Sequence, residues 1–479
     1  MTALLAIGAA LRAVFINTRS LWFDEASTLI LAGLPLARLP DLLVRNEMNP
    51  PLYYALMHVW LKLFADPRLG LRVFSALCGV AALAAFRPLA ERLLPARARL
   101  LALFFAAFSS YWIHAAQDGR VYSLLLLVSI LWLRAVWDLS EGPSPRRWAA
   151  YALLSGLGLH LHYYFSFPLA ADAAWLAWRF RRSPRELRAW AAAHAAVAAM
   201  FSPWLPNLAA QLRVHVGDRT VGDALTPAHL FDSLGNMFFD VTFLGLALPH
   251  WLNAAIGAGF SALAAVSAFA PRANAGERRA RAFVLFSLGV PVALIALAEI
   301  AVGRPITQAR YFMPLSPLAY LLAARALSAP GRWASAARLS FEAVAVAGVA
   351  GYFASGRLVD PHLNALAAAI RRGSSPGTPV VFVDMYDYLP MRAYYLPDRV
   401  NLLVAEAGSG MDFSAIPPYD GVLDSGRRRT LGPCVVVDVK RRLTPQALWI
   451  GTGAQLNGLL EGPDAGPATE PRRNATRRP

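Results

Sequence analysis

Apolar runs separated by short polar stretches repeat along most of the chain. They fall at about residues 2–16, 69–94, 100–116, 121–137, 148–163, 164–180, 190–208, 238 or 251–270, 282–302, 311–327 and 339–353, and most approach the roughly 20 residues that cross a hydrocarbon core. The pattern predicts a mainly α, polytopic membrane protein with a bundle of about eleven transmembrane helices. The first run has no basic leader and no small-residue cleavage site, which reads as a retained span and not a signal peptide.

The polar stretches fall into two alternating sets. One is rich in arginine, with Arg87, Arg92, Arg97 and Arg99 around the end of the second run and Arg179, Arg181, Arg182, Arg185 and Arg188 around the end of the sixth. The positive-inside rule makes these the cytoplasmic loops. The other set is poorer in arginine and holds Asp24-Glu25, Gln117-Asp118-Gly119-Arg120, residues 160–164, 211–235 and 304–310. Every candidate polar feature is thereby expected on the extracytoplasmic side, where chance would scatter them over both.

Between the first two runs, Asn49-Pro50-Pro51-Leu52-Tyr53-Tyr54 leads into residues 55–64, which mix His58, Trp60 and Lys62 with leucines. The stretch is too short to span and predicts an interfacial amphipathic helix in the first external loop. After the last run the composition shifts. Residues 380–383, 400–404 and 434–437 read as short strands, and 387–396 or 445–460 as helices. The domain plan is a transmembrane domain over 1–356, a small extracytoplasmic α/β domain over 357–461 and a disordered tail over 462–479.

Composition agrees with this plan. The chain is 57% hydrophobic and 16% charged, against about 25% charged in soluble domains, and its mean hydropathy is +0.42. A formal charge of +16 raises the question of nucleic acid. The arginines, however, sit in short clusters between apolar runs, where topology explains them, and no nucleic-acid partner is expected. Cys78 and Cys434 have neither metal-ligand nor disulfide-framework spacing. No Gly-rich phosphate fingerprint and no internal repeat stand out.

Four stretches carry candidate chemistry. Asp24 and Glu25 follow the apolar Leu21-Trp22-Phe23, which draws the carboxylates toward the bilayer surface instead of into bulk water. Asp118 adds a third acid from the next external turn. Asp24 and Asp118 are the possible ligands of a divalent cation, Mg or Mn, with no His or Cys spacing to enforce one. His162 and Tyr163 end a span and suit a cavity wall as well as an aromatic belt. Arg310, opening a late span beside Tyr311, either snorkels or neutralises a phosphate, and Arg304 is a second candidate for that task.

In their order and sidedness these motifs resemble the GT-C superfamily of membrane glycosyltransferases, closest to the bacterial protein O-mannosyltransferase and aminoarabinose transferase group. The resemblance rests on Asp24-Glu25, Pro50-Pro51-Leu52-Tyr53-Tyr54, Asp118 before Val121-Tyr122-Ser123-Leu124, His162-Tyr163-Tyr164 and Arg310-Tyr311-Phe312-Met313-Pro314. It implies a polyprenyl-phosphate sugar donor, a lipid, glycan or protein acceptor, and transfer at the extracytoplasmic face of the inner membrane, usually with inversion. Asp24 is then the general base, Glu25 and Asp118 place substrates, and Arg310, Tyr311, Arg304, His162, Tyr163, Tyr53 and Tyr54 bind them. Aminoarabinose transferases have a lysine before the proline pair that helps with the phosphate, whereas Asn49 stands here, which moves phosphate recognition to Arg310 or Arg304. The rival from another class is a transporter or flippase of lipid-linked sugars, which Asp172 and Glu299, in or near apolar segments, would serve.

Overall fold

The computed structural model describes residues 1–216, 257–259, 262, 274–302, 308–354, 362–404, 422–423, 431–437, 448–452 and 455. The predicted run at 238 or 251–270, apart from 257–259 and 262, lies outside the described residues, as do Arg304 and the tail at 462–479. The chain divides into two compact units, Met1–Ser20 with Thr28–Asp360, and Leu21–Ser27 with Pro361–Pro479.

The first unit is helical. Its long helix Pro67–Leu93 starts where Asp66 caps it, the carboxylate accepting the N–H groups of Arg68 (3.0 Å) and Leu69 (3.3 Å) with Pro67 in the first turn. It packs along Tyr122–Glu141, which packs in turn on Pro145–Leu161. Ser166–Phe180 lies against Ala275–Val302, and Ser316–Leu327 against Ala96–Ala107. Among the described residues four helices, Pro67–Leu93, Tyr122–Glu141, Ala275–Val302 and Ala334–Ala354, are long and apolar enough to cross a membrane, and two bent pairs raise the number to six. The predicted interfacial stretch forms the helix Leu52–Trp60 and a further turn, Leu61–Leu63.

Two sequence expectations are corrected here. The run at 100–116 is not one straight helix but Ala96–Ala107 and Ser110–Gln117, bent by 45°. Ser109 breaks it, because its hydroxyl accepts the Trp112 N–H at 3.0 Å and caps a new helix. The carbonyls of Ala106 and Ala107 left at the break take the buried Arg12 guanidinium at 3.0 and 3.4 Å. Asp24 and Glu25 are not loop residues either. They sit in the first turn of the helix Phe23–Gly33, where acidic side chains favour the positive end of the backbone dipole.

The second unit holds a five-stranded sheet in the order β3-β2-β1-β4-β5, with β1 Val380–Phe382, β2 Asn401–Val404, β3 Val422–Leu423, β4 Pro433–Val437 and β5 Leu448–Thr452. The first four are parallel, and β5 runs antiparallel to β4 with Val435 opposite Ile450. β5 falls where 445–460 was read as a helix. The segment supplies Trp449 and Ile450 to a sheet edge, and edge pairing with β4 overrides its helical appearance. Val381, Val383, Val404, Cys434 and Val436 form the core. The helix Met385–Pro390 and the turn Met391–Tyr395 lie between β1 and β2.

Close helix contact in the first unit depends on small residues. A Cβ at Gly79 would stand 2.5 Å from the Ala116 Cβ, so Pro67–Leu93 and Ser110–Gln117 meet only because no side chain intervenes. Gly79→Val is expected to destabilise the first unit by about 1–3 kcal/mol, read as a lower melting temperature and loss of the monodisperse fraction in detergent.

Candidate active site

In the first unit, polar groups from three separate stretches close around the carboxylate of Glu47. It stands in the connection between the helices Leu39–Asn46 and Leu52–Trp60. Oε1 accepts the Met48 N–H (3.0 Å) and Asn49 Nδ2 (2.9 Å), and Oε2 accepts the Tyr54 hydroxyl (2.7 Å) and Arg120 Nη2 (3.2 Å). Arg120 comes from the turn before Tyr122–Glu141, and its Nη1 also reaches Thr28 Oγ1 at 3.2 Å and Tyr54 Oη at 3.4 Å. Burial alone would raise the Glu47 carboxyl, but Arg120, the Tyr54 hydroxyl and the Met48 N–H outweigh it and hold the group below its ordinary value. Burial, the largest influence on Tyr54, lifts its phenol well above the usual range and keeps it a donor.

The helix Leu205–Val216 pins the same connection. Gln211 Nε2 donates to the carbonyls of Glu47 (2.8 Å) and Leu43 (3.2 Å). Its Oε1 accepts the Tyr163 hydroxyl, which itself accepts the Trp204 indole N–H at 2.7 Å. Tyr163 thus braces Glu47 through Gln211 from a distant helix end.

Arg310 lies on the short turn Ala309–Leu315 among aromatic rings. Its Cζ is 5.8 Å from the ring centroids of both Tyr122 and Tyr311. Tyr311 is 5.0 Å from His162 and 4.7 Å from Tyr164, and His162 is 6.0 Å from Tyr122. The Tyr164 N–H donates to His162 Nδ1 at 3.2 Å, which places the proton of the neutral imidazole on Nε2. The charges of Arg310, Glu47 and Arg120 all act on His162. A guanidinium is a planar fork of N–H donors that matches an oxyanion, and aromatic ring faces attract it.

Of the remaining first-unit candidates, Tyr53 is buried and packs on Phe74 and Tyr54. Asp118 is also buried, and its Oδ1 takes Arg19 Nη2 at 3.1 Å, the same nitrogen that bonds the Gln117 carbonyl at 2.9 Å. A carboxylate so engaged holds a turn. Among the described residues no group of three or more His, Cys, Asp or Glu side chains is placed to hold a metal ion.

In the second unit, Asp24 and Glu25 open the helix Phe23–Gly33. Glu25 is fully buried, and its Oε2 faces the Trp22 N–H at 3.5 Å, reaching back over its own helix start as in a capping box. The Leu21 N–H donates to the Tyr395 hydroxyl at 2.8 Å, and the Phe23 and Tyr386 rings lie 5.1 Å apart.

Residues 48–206 match the family model of dolichyl-phosphate-mannose-protein mannosyltransferases. The structure of ArnT from Cupriavidus metallidurans in the apo state superposes with a TM-score of 0.63 and 14% identity, over 98% of this chain and 99% of that one. The same enzyme bound to undecaprenyl phosphate gives 0.61 and 15%, over 92% and 93%. The chain has the fold of ArnT. The archaeal oligosaccharyltransferase AglB from Archaeoglobus fulgidus, in complex with an inhibitory peptide and a dolichol-phosphate, gives 0.47 and 14%, over 84% and 64%. Among the curated proteins nothing matches.

Within this fold, sequence reasoning overlooked Glu47, the anchoring part of Arg120, and Gln211. The available signal was Glu47 itself, an acid two residues before Asn49-Pro50-Pro51 that has no i+4 basic partner to explain it as a solvated helix face. Asn49, at the position where a lysine was expected by resemblance, is a donor to Glu47.

With only 5% of Arg120 and 14% of Glu47 side-chain surface exposed, Glu47→Gln strands a buried guanidinium. The loss is expected to be about 3 kcal/mol at neutral pH, the lower end for removing one member of a buried pair. Because the folded carboxyl is depressed, its stabilisation is complete above the ordinary carboxylate value near 4.5 and disappears as pH falls through the lower folded value. Melting curves of wild type and Glu47→Gln should therefore converge only below that pH; convergence already at pH 6 would contradict the pairing.

Proposed function

We propose that this protein is an integral-membrane glycosyltransferase of the inner membrane, moving a hexosyl or pentosyl group from a polyprenyl-phosphate donor to a lipid, glycan or protein acceptor on the extracytoplasmic face with inversion. The observation that supports this most is the Arg310 guanidinium set against Tyr122 and Tyr311 in a chain with a GT-C fold. ArnT was solved with undecaprenyl phosphate bound, and a polyprenyl phosphate is the kind of anion that a guanidinium fork takes bidentately. In this reading about eleven spans with a cytoplasmic N-terminus leave the C-terminal unit outside.

The acceptor hydroxyl oxygen attacks the anomeric carbon while Asp24 takes its proton. The bond from the anomeric carbon to the phosphate oxygen breaks, and the electron pair leaves on the polyprenyl phosphate. Oxocarbenium character grows on the sugar as negative charge grows on the phosphate. Arg310, fixed before the reaction begins, stabilises that charge without reorganising. His162 and Tyr311 line the sugar-phosphate path, Arg304 is a second phosphate ligand, and Glu25 and Asp118 keep their stretches of backbone in place.

The test is transfer of label from radiolabelled polyprenyl-phosphate sugars to any acceptor fraction by protein in proteoliposomes. Asp24→Asn should insert normally and lose about 10²–10⁴ in rate, whereas wild-type turnover in that variant would remove Asp24 as the base. Arg310→Ala should lose about 10²–10³, and unchanged use of the donor would take Arg310 off the phosphate. Label that crosses the bilayer without reaching an acceptor would make the protein a transporter.

A further inference from the structure

The Leu21–Ser27 segment belongs to the compact unit of the C-terminal sheet, although 374 positions separate Leu21 from Tyr395. The order β3-β2-β1-β4-β5 places β1 in the centre, with the chain winding outward to β2 and β3 on one side and to β4 and β5 on the other. In such sheets the crevice beyond the carboxyl ends of the central strands is where a ligand binds. Residues leaving β1 here are Asp384, which accepts the Tyr386 N–H at 2.9 Å, and Tyr386 itself, 59% exposed. The Phe23 ring lies on Tyr386, and the Leu21 N–H is taken by Tyr395, buried at the other end of the same β1 to β2 connection. An edge suited to a ligand has received a piece of the chain's own N-terminal region.

We propose that Tyr395 and Tyr386 are positioning residues for Asp24 and that the C-terminal unit is a clamp on the segment that carries it. The proposal rests on the reading of Asp24 as the base. The two contacts fix Leu21 and Phe23, the residues through which the chain enters the helix whose first turn holds Asp24, and so they set where the carboxylate points. Tyr395 supplies an acceptor for a buried N–H, and Tyr386 supplies a face that stops Phe23 from rolling.

The test uses the full chain in lipid nanodiscs and two readouts, amide hydrogen exchange in a peptide covering 21–27 and steady-state transfer. Tyr395→Phe removes the acceptor. Tyr386→Ala removes an exposed ring without touching the sheet core, and Tyr386→Phe restores the ring. Tyr395→Phe and Tyr386→Ala should each speed exchange in 21–27 and lower kcat by about 10- to 100-fold while the donor KM moves less than about twofold. Tyr386→Phe should match wild type in both readouts. Unchanged exchange in the first two variants overturns the clamp, as does faster exchange with wild-type kcat while Asp24→Asn is inactive. Wild-type turnover in Asp24→Asn would instead remove the base, and exchange would tell that failure from failure of the clamp.

Discussion

The contact between Glu47 and Arg120 holds the least regular part of the first unit. It joins the connection after Leu39–Asn46 to the turn before Tyr122–Glu141, with Tyr54 and Asn49 completing the carboxylate and Gln211 fastening the backbone beneath it. Other guanidiniums continue the work. Arg72 donates to the carbonyls of Arg19 (3.0 Å) and Ser20 (3.1 Å), and Arg19 in turn holds Asp118. In an apolar bundle every non-helical carbonyl needs a donor, and arginine, with five N–H groups, can serve several at once. Such pairs add little net stability against an apolar alternative, because both charges must shed water. They do specify one arrangement of the connections, and the charges of Glu47 and Arg120 act on His162.

Much of this fold is legible in the order of apolar runs and arginine clusters, and the parts that are not share a cause. The break at Ser109 is invisible to hydropathy, because a serine inside an apolar run changes the average little while its hydroxyl restarts the helix. The helical stretches Phe23–Gly33 and Leu36–Asn46 are bent by 117° and interrupted by Pro35, so neither reads as a span. The short apolar strands β1, β2 and β4 declare themselves, whereas β5 is defined by a partner strand outside its own sequence.

The candidate site divides the same way. Arg310, Tyr311 and His162 belong to stretches whose composition marks them, and the structure gathers them. Tyr53 and Tyr54 are adjacent and alike in sequence, yet one packs on Phe74 and the other bonds Glu47. Helical geometry turns neighbours to different sides, and the side that meets a carboxylate depends on a residue seven positions away. Asp118 looks like a free turn acid until Arg19 is placed against it. Pairings across long sequence separations carry information that no local window contains.

Arg12 has a consequence for how the chain is made. Its guanidinium is wholly buried, and two of its three carbonyl acceptors, on Ala106 and Ala107, lie 94 and 95 residues further along. On the ribosome the first segment is finished long before those acceptors exist. Arg12 stands in the last turn of the helix Thr2–Ala13, and within that helix only the Gly8 carbonyl, 2.8 Å away, accepts it. The first helix therefore gains its full set of acceptors only once the break after Ala107 has formed.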